Sequence, residues 1–257
     1  MTPTARALRH DTGRARSCAH IGHTEAMNTP QTLEIQDFTQ HRIRLLLPAL
    51  ILVTLAYPLS EIHAYAAMGY ALTCAAVLAL GARVAAVTRM RQFAATAVAA
   101  MIALLSVPWA MFPDELWLTV GFYTMLVIFN LLVIAAIGEH LFDADAVDHN
   151  IMLTGTSLFI LVGHMFVPAA MVVEKVTVEL TGASAYLTEM TVTWQQMVYF
   201  SFTTLTTLGS DGLRPATTAA QALAILEAVL GVLIVALIVG RLVGTAVLHT
   251  HRPRTRA

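Results

Sequence analysis

A short polar segment between two long apolar stretches is the part of the chain best suited to chemistry. Residues 193–215 read TWQQMVYFSFTTLTTLGSDGLRP. The part from Trp194 to Leu205 can form one short helix with aromatic and threonine faces. The following Thr206–Gly212 is small and contains glycine, which favours extended or left-handed backbone. At membrane depth, irregular backbone is tolerated only where protein buries it or where it lines an aqueous path. The segment therefore predicts a re-entrant loop.

The composition of the chain places this loop in a membrane protein. Of 257 residues, 57% are hydrophobic and only 12% are charged. Because one soluble core cannot hide so much apolar surface, a soluble enzyme, a disordered chain and a disulfide-built secreted module are excluded. The apolar composition predicts membrane lipid as a partner, and the formal net charge of −1 provides no basic field, so no nucleic acid is expected.

Six stretches approach the length of about 20 apolar residues that a bilayer span needs. Five of them contain no Asp, Glu, Lys or Arg, and the sixth is interrupted only by Glu227. Strand alternation is absent, so the pattern predicts an all-α membrane protein with six transmembrane helices and the re-entrant loop between helices 5 and 6. The predicted spans are 45–60, 62–82, 92–113, 116–138, 149–173 and 216–240.

Arginines predict the orientation of the spans. They precede span 1, join spans 2 and 3 and follow span 6, whereas the opposite side receives only Lys175 and Arg214. Since basic loops stay cytoplasmic, both termini are expected inside the cell. Span 4 carries no arginine, so the charge ladder of a voltage sensor is missing.

The two ends of the chain are polar and are predicted to lie outside the membrane. Residues 1–41 are expected to form a disordered tail, and residues 249–257 a basic tail. Met27 opens a segment that would make a sensible start of the protein. A peptide from residues 1–26 in the native protein would contradict that start.

The run Tyr199–Gly209, YFSFTTLTTLG, resembles the pore helix and filter entry of the potassium-channel-like P-loop ion channels. It is most similar to bacterial two-transmembrane pore domains, whose filter reads threonine, valine or leucine, glycine, tyrosine, glycine and then aspartate. Residues 222–231 and 239–244 resemble the inner helix of that family. Gly231 stands where such helices often carry a hinge glycine, and Glu227 where they often carry a glutamate. The resemblance covers roughly residues 150–248.

The resemblance implies a homotetrameric cation channel rather than an enzyme, with a pore domain over 149–248 and a four-helix peripheral domain over 42–142. It implies a potassium pathway with no cofactor other than the permeating K⁺ or Na⁺. The preference for arginine over lysine is typical of a GC-rich bacterial genome, and the expected location is the bacterial inner membrane. Glu227 and Gly231 are expected to act as filter support or hinge. The expected filter residues are Thr206, Thr207, Leu208, Gly209, Ser210, Asp211 and Gly212.

The loop departs from the family filter in its outer half. Ser210 stands for the tyrosine, Asp211 for the second glycine and Gly212 for the aspartate. The family geometry asks the second glycine for a positive φ, which aspartate tolerates at a cost. We expect the inner sites at Thr207, Leu208 and Gly209 to remain. The outer sites are expected to be widened or lost, which weakens discrimination between potassium and sodium.

Several assignments stay open on sequence alone. Asp211 either contributes to an acidic ring at the outer mouth or hydrogen-bonds the turn. Glu227 either supports the filter by hydrogen bonding or lines the pore, and His164 is either a core histidine or a proton sensor. The chain as a whole is either a channel or a non-conducting scaffold or sensor that kept a pore domain. A transporter is disfavoured because no inverted repeat of broken helices occurs.

Overall fold

Seven α-helices and one short strand pair form the part of the chain described by the computed structural model. The described residues are 45–58, 64–84, 89–112, 114–143, 149–187 and 191–250, and all lie in one compact unit. The predictions for residues 1–41 and for the tail beyond residue 250 lie outside them. The helices are α1 Leu45–Ala56, α2 Ala64–Val84, α3 Arg89–Met111, α4 Leu116–Asp143, α5 His149–Thr181, α6 Trp194–Leu205 and α7 Thr218–Thr250.

Four helices are long and apolar enough to cross a membrane, which confirms part of the predicted topology. Helix α1 is apolar but shorter, about 18 Å at 1.5 Å per residue, against a hydrocarbon core of about 30 Å. Helix α2 is longer, and its part from Thr73 to Val84 is apolar. Six spans therefore remain a prediction. The four candidate spans are Arg89–Met111, Leu116–Glu139, Met152–Thr181 and Thr218–Arg241.

Helices α5 and α7 extend beyond the predicted spans because an apolar run and a helix need not end together. Helix α5 continues past residue 173 through three charged residues, Glu174, Lys175 and Glu179, to Thr181. It stops there because Gly182 adopts a φ of +70° and donates its N–H to the Val178 carbonyl oxygen at 2.8 Å. Helix α7 continues past Arg241 to Thr250, so the predicted basic tail begins inside a helix.

Helix α6 is packed between two longer helices, α5 and α7. Helix α4 lies between α3 and α5, and α5 and α7 both contact α6 and each other. At one end of the bundle, Arg91 of α3 donates to Glu139 of α4, with 2.7 Å between Arg91 Nη2 and Glu139 Oε1. The basic start of α3 and the acidic end of α4 therefore lie at the same end of the bundle, as the predicted topology requires.

One short strand pair ties the segment after α5 to the segment before α7. Strand β1, Tyr186–Leu187, runs antiparallel to β2, Arg214–Pro215. The Ala185 carbonyl oxygen also accepts from the Ala216 amide at 2.8 Å. This pairing brackets α6 and the loop that follows it.

Candidate functional site

Helix α6 has the predicted bounds, and its start is fixed by a reciprocal cap. The Thr193 hydroxyl accepts from the Gln196 amide at 3.3 Å, and the Thr193 amide donates to Gln196 Oε1 at 3.1 Å. This capping box satisfies two backbone N–H groups at the first turn of a helix that otherwise has only twelve residues. The sequence TWQQ therefore specifies where the helix begins.

An aromatic cluster from α3 and α4 holds the start of α6. The Trp194 ring stacks on Tyr123, with 5.8 Å between centroids, and Trp109 contacts the edge of Tyr123 at 6.1 Å. Trp109 also stacks on Phe122 at 4.8 Å. Such pairs stabilise beyond simple burial of area. Sequence analysis did not identify this cluster, because its members are far apart in the chain.

The C-terminal end of α6 closes with two hydrogen bonds of a Schellman motif. The Thr207 amide donates to the Thr204 carbonyl oxygen at 2.9 Å, and the Leu208 amide to that of Thr203 at 2.8 Å. The Gly209 amide donates to the same Thr203 oxygen at 3.1 Å. This motif requires a left-handed residue after the cap, and Thr207 supplies it with a φ of 59°.

Thr207 is a strained residue at the predicted filter. A β-branched side chain is rare at positive φ, and glycine is the usual occupant of this position. Such outliers concentrate at functional sites, where the surrounding structure holds them in place. The strain is therefore an independent reason to regard this loop as the functional site.

Replacing Thr207 with glycine is expected to stabilise the protein by about 1 kcal/mol, because left-handed backbone costs roughly 1–2 kcal/mol in a residue with a side chain. Thr206→Gly is the matched control. Thr206 has a φ of −86° and its hydroxyl donates to the Phe202 carbonyl oxygen at 2.7 Å, so glycine should destabilise there. The thermal midpoints of the two variants in one detergent check the opposite signs. A loss of stability in Thr207→Gly would show that its side chain contributes more than the strain removes.

The outer half of the loop departs from the family geometry at Asp211. Positive φ values in the described residues occur at Thr207, Gly182 and Gly209, so Asp211 does not adopt the left-handed backbone that this geometry asks of the second filter glycine. The chain thereby avoids the cost of left-handed backbone at a residue with a side chain. The turn is instead closed by Ser210, whose hydroxyl accepts from the Leu213 amide at 3.4 Å.

The Asp211 carboxylate is exposed, and within the described ranges it has no hydrogen-bond or ion-pair partner. Thr206 to Gly209 and Gly212 are exposed as well, and Leu208 is 76% exposed. In one chain, the predicted filter is thus a loop with an open surface rather than a buried turn. One of the two assignments for Asp211 was a hydrogen bond within the turn. In the structure that hydrogen bond is made by the neighbouring Ser210 instead.

Behind the loop, α7 approaches the end of α6 at Gly231. A Cβ atom placed on Gly231 would lie 2.0 Å from the Leu205 carbonyl oxygen, a distance that no side chain accommodates without movement of backbone. On the other side, a Cβ atom on Gly163 of α5 would lie 3.0 Å from the Phe202 ring. Two glycines on neighbouring helices therefore allow the close packing of α6. The contact explains the glycine at position 231 by close approach of backbone.

Glu227 of α7 lies under the middle of α6. It is 2% exposed and contacts the Ser201 hydroxyl, which also lies 2.8 Å from the Gly163 carbonyl oxygen. The structure thus brings Glu227 and Gly231 to α6, whereas Thr206–Gly212 lie beyond its end. The buried position favours support of the loop over lining of a pore for Glu227.

Two further buried groups near the site were not identified from the sequence. Glu174 of α5 accepts from the Ser184 hydroxyl at 2.9 Å and from the Ala185 amide at 2.8 Å, which fixes the segment before β1. Tyr186 of β1 packs edge-on against Phe200 of α6 at 5.3 Å. Glu174 could have been noticed as an ionisable residue directly after an apolar run. It was missed because the predicted span 5 ends at residue 173 and Glu174 lies just outside it.

His164 connects the peripheral helices to α6. Its Nε2 atom lies 2.9 Å from the Thr54 hydroxyl of α1, and its ring packs edge-on against Phe202 at 5.3 Å. These contacts fit a core histidine with a hydrogen-bond partner.

Comparison with known proteins finds a similarity over part of the chain. No curated protein and no solved structure matches the chain. A family model described as an ion channel matches residues 159–247. The match begins inside α5, contains α6 and the loop after it, and ends inside α7. Residues 159–247 are therefore similar to an ion-channel domain, and this similarity supports an ion-channel function rather than an enzymatic one.

Proposed function

We propose that four copies of this chain form a cation channel that conducts potassium, with weakened discrimination against sodium. The observation that carries the proposal is the loop after α6. A short buried helix ends in exposed irregular backbone that is left-handed at Thr207 and Gly209, within the stretch similar to an ion channel. At membrane depth, irregular backbone that protein does not bury must line an aqueous path.

Four chains are needed because one re-entrant loop cannot enclose a path. In a single chain the loop is open, and α7 exposes a large apolar surface around Val229, Val232 and Leu233. Lipid and neighbouring copies would share that surface. In this arrangement the Thr206–Gly212 loops would meet around the fourfold axis, at the ends of their α6 helices.

The inner part of the loop supplies the chemistry of the filter. The backbone oxygens of Thr207, Leu208 and Gly209 and the Thr207 hydroxyl would replace the hydration shell of a potassium ion. Ser210 and Asp211 would shape a wider outer mouth. Four Asp211 carboxylates would form an acidic ring there that concentrates cations.

The remaining helices would form a peripheral domain that lacks the charges of a voltage sensor. Helix α4 from Leu116 to Gly138 carries no arginine, so movement of charge through the membrane field is not its function. We propose cytoplasmic termini in a bacterial inner membrane, from the arginine bias of the loops.

Ion flux from the purified protein in liposomes tests the proposed function. The potassium and sodium gradients are applied separately, and we expect flux of potassium with measurable flux of sodium. Strong exclusion of sodium would mean that Ser210 and Asp211 still permit a complete filter. Absence of flux of either ion from a confirmed tetramer would contradict the channel proposal.

Replacing Asp211 with asparagine tests the acidic ring. We expect potassium flux to fall several-fold at low ionic strength and to recover at about 1 M salt, where the Debye length is about 3 Å. Asp114→Asn is a matched control, because Asp114 is an exposed aspartate in the connection between α3 and α4. An Asp211→Asn effect that does not change with salt would contradict an electrostatic role.

A non-conducting scaffold or sensor is the second candidate, and a specific observation favours it. Asp211 replaces a filter glycine and does not adopt the left-handed backbone that the family geometry asks for. A stable tetramer without flux, in which Asp211→Gly also remains silent, would favour this candidate.

A further inference from the structure

We propose that Glu227 carries a proton in the conducting protein and donates it to Ser201, so that Glu227 positions α6 and conduction falls when the proton is lost at alkaline pH. The consequence for conduction rests on the proposed channel function. The assignment of the proton rests on the hydrogen-bonding geometry of three helices.

Ser201 lies at the junction of these helices. It is buried on α6, and its hydroxyl oxygen lies 2.8 Å from the Gly163 carbonyl oxygen of α5. The same oxygen is in hydrogen-bond contact with Glu227 Oε1 of α7. One hydroxyl group therefore connects both neighbours of α6.

A count of protons decides which group donates. A serine hydroxyl has one proton and two lone pairs, and a backbone carbonyl oxygen only accepts. Ser201 is placed to donate to both Gly163 and Glu227, and both contacts are hydrogen bonds only when its one proton goes to Gly163 and Glu227 donates to Ser201. If Glu227 were a carboxylate it would compete for that proton, whereas a protonated Glu227 donates to a lone pair of Ser201 and completes both hydrogen bonds. A buried carboxylate left without its donor would also be costly.

Glu174 provides the contrast within the same chain. It is also buried, at 6% exposed, but it receives hydrogen bonds from two donors, the Ser184 hydroxyl and the Ala185 amide. The Ser184 hydroxyl in turn accepts from the Tyr186 amide, so its proton is available for Glu174. Glu174 needs no proton of its own, which makes it the matched control for Glu227.

Four further ionisable groups, on α6 itself and on the elements packed against it, do not supply the same switch. From β1, the phenol of Tyr186 is buried, and burial raises the pKa of Tyr186, so it remains neutral as the pH rises. From α5, Glu174 and His164 are held by Ser184 and by Thr54. Helix α6 contributes Tyr199, whose side chain is 52% exposed and is therefore not buried with Glu227.

Loss of the proton on Glu227 would act on the loop through α6. An ionised Glu227 either takes the Ser201 proton from Gly163 or separates from Ser201, and in both cases α6 loses a neighbour. The Leu205 carbonyl at the end of α6 packs against Gly231, one turn along α7 from Glu227. A shift of α6 against α7 therefore reaches the residues that begin the loop.

Infrared spectroscopy of the full-length protein in liposomes tests the proton directly. We expect the carbonyl stretching band of a protonated carboxylic acid at neutral pH. Glu227→Gln should remove the band, Glu174→Gln should keep it, and Ser201→Ala should shift it because the hydrogen-bond acceptor is gone. No acid band in the wild type, or a band that Glu174→Gln removes instead, would overturn the proposal.

Potassium flux against pH tests the consequence. Wild-type flux should fall as the pH rises, and the loss should approach about tenfold for each pH unit well above the transition if one proton controls conduction, or be steeper if all four chains must be protonated. Glu227→Gln keeps an N–H donor for Ser201 but cannot ionise, so its flux should not change with pH, and Glu174→Gln should keep the wild-type profile. A wild-type profile in Glu227→Gln would overturn the role of Glu227. Absence of flux in every variant contradicts the channel function, and the infrared result then still decides the proton.

Discussion

Replacing Gly231 with alanine is expected to destabilise the protein severely and to reduce the yield of folded protein in the membrane. The new Cβ atom would lie 2.0 Å from the Leu205 carbonyl oxygen, and the obstructing atom is backbone rather than the end of a flexible side chain. Helices α6 and α7 must then separate. Overpacking of a core costs about 1–3 kcal/mol and sometimes more, and we expect the upper end here. The thermal midpoint in detergent and the yield of monodisperse protein measure the effect.

Gly240→Ala is the matched control for this change. Gly240 lies on the same helix, and a Cβ atom there would meet no atom within 4 Å. Alanine is the better helix former by about 1 kcal/mol, so this variant should be as stable as the wild type or slightly more stable. Equal stability of Gly231→Ala and Gly240→Ala would mean that α6 and α7 are not in close contact.

The same pair of variants separates two roles for Gly231. If the glycine is a hinge, Gly231→Ala should fold and assemble normally and change only the opening of the pore. If close packing is the requirement, folded protein is lost before any function can be measured. The contact with Leu205 favours the second outcome.

The sequence was sufficient to predict α6 because local signals specify both of its ends. The cap formed by Thr193 and Gln196 determines the start, and the helix closes at Thr206, where the small residues begin. The ends of α5 and α7 could not be predicted in this way. Apolar composition reports burial in lipid, whereas the end of α5 depends on the left-handed conformation of Gly182.

The candidate site could be located from the sequence, but its backbone conformation could not. Residue types placed Thr206–Gly212 at the end of α6. The left-handed φ of Thr207 depends on two amides that share the Thr203 carbonyl oxygen, which residue types do not reveal. The neighbours of Glu227 were likewise hidden, because Ser201 and Gly163 are distant in the chain. Resemblance to a family located these groups, and only the three-dimensional packing gave their partners.

Replacing Gly209 with aspartate is expected to abolish potassium flux while the protein still folds and assembles. Gly209 has a φ of +82°, and a Cβ atom there would meet no atom within 4 Å of the same chain. Aspartate is among the side chains that tolerate left-handed backbone best, so the cost to folding should be modest. In the proposed tetramer, however, four carboxylates would replace hydrogen atoms at the narrowest part of the path. They would bind cations tightly there, and conduction requires that a bound ion can leave.

Gly212→Asp separates this effect from added charge alone. Gly212 also has open space for a Cβ atom, and it lies in the outer half of the loop, where the acidic ring of Asp211 is proposed. A further carboxylate there should preserve potassium flux, because the ions are still hydrated at a wide mouth. Liposome flux and the size of the purified assembly are compared for both variants. Unchanged flux in Gly209→Asp would place the conduction path elsewhere. Equal loss of flux in both variants would show that the loop does not divide into a narrow inner part and a wide outer part.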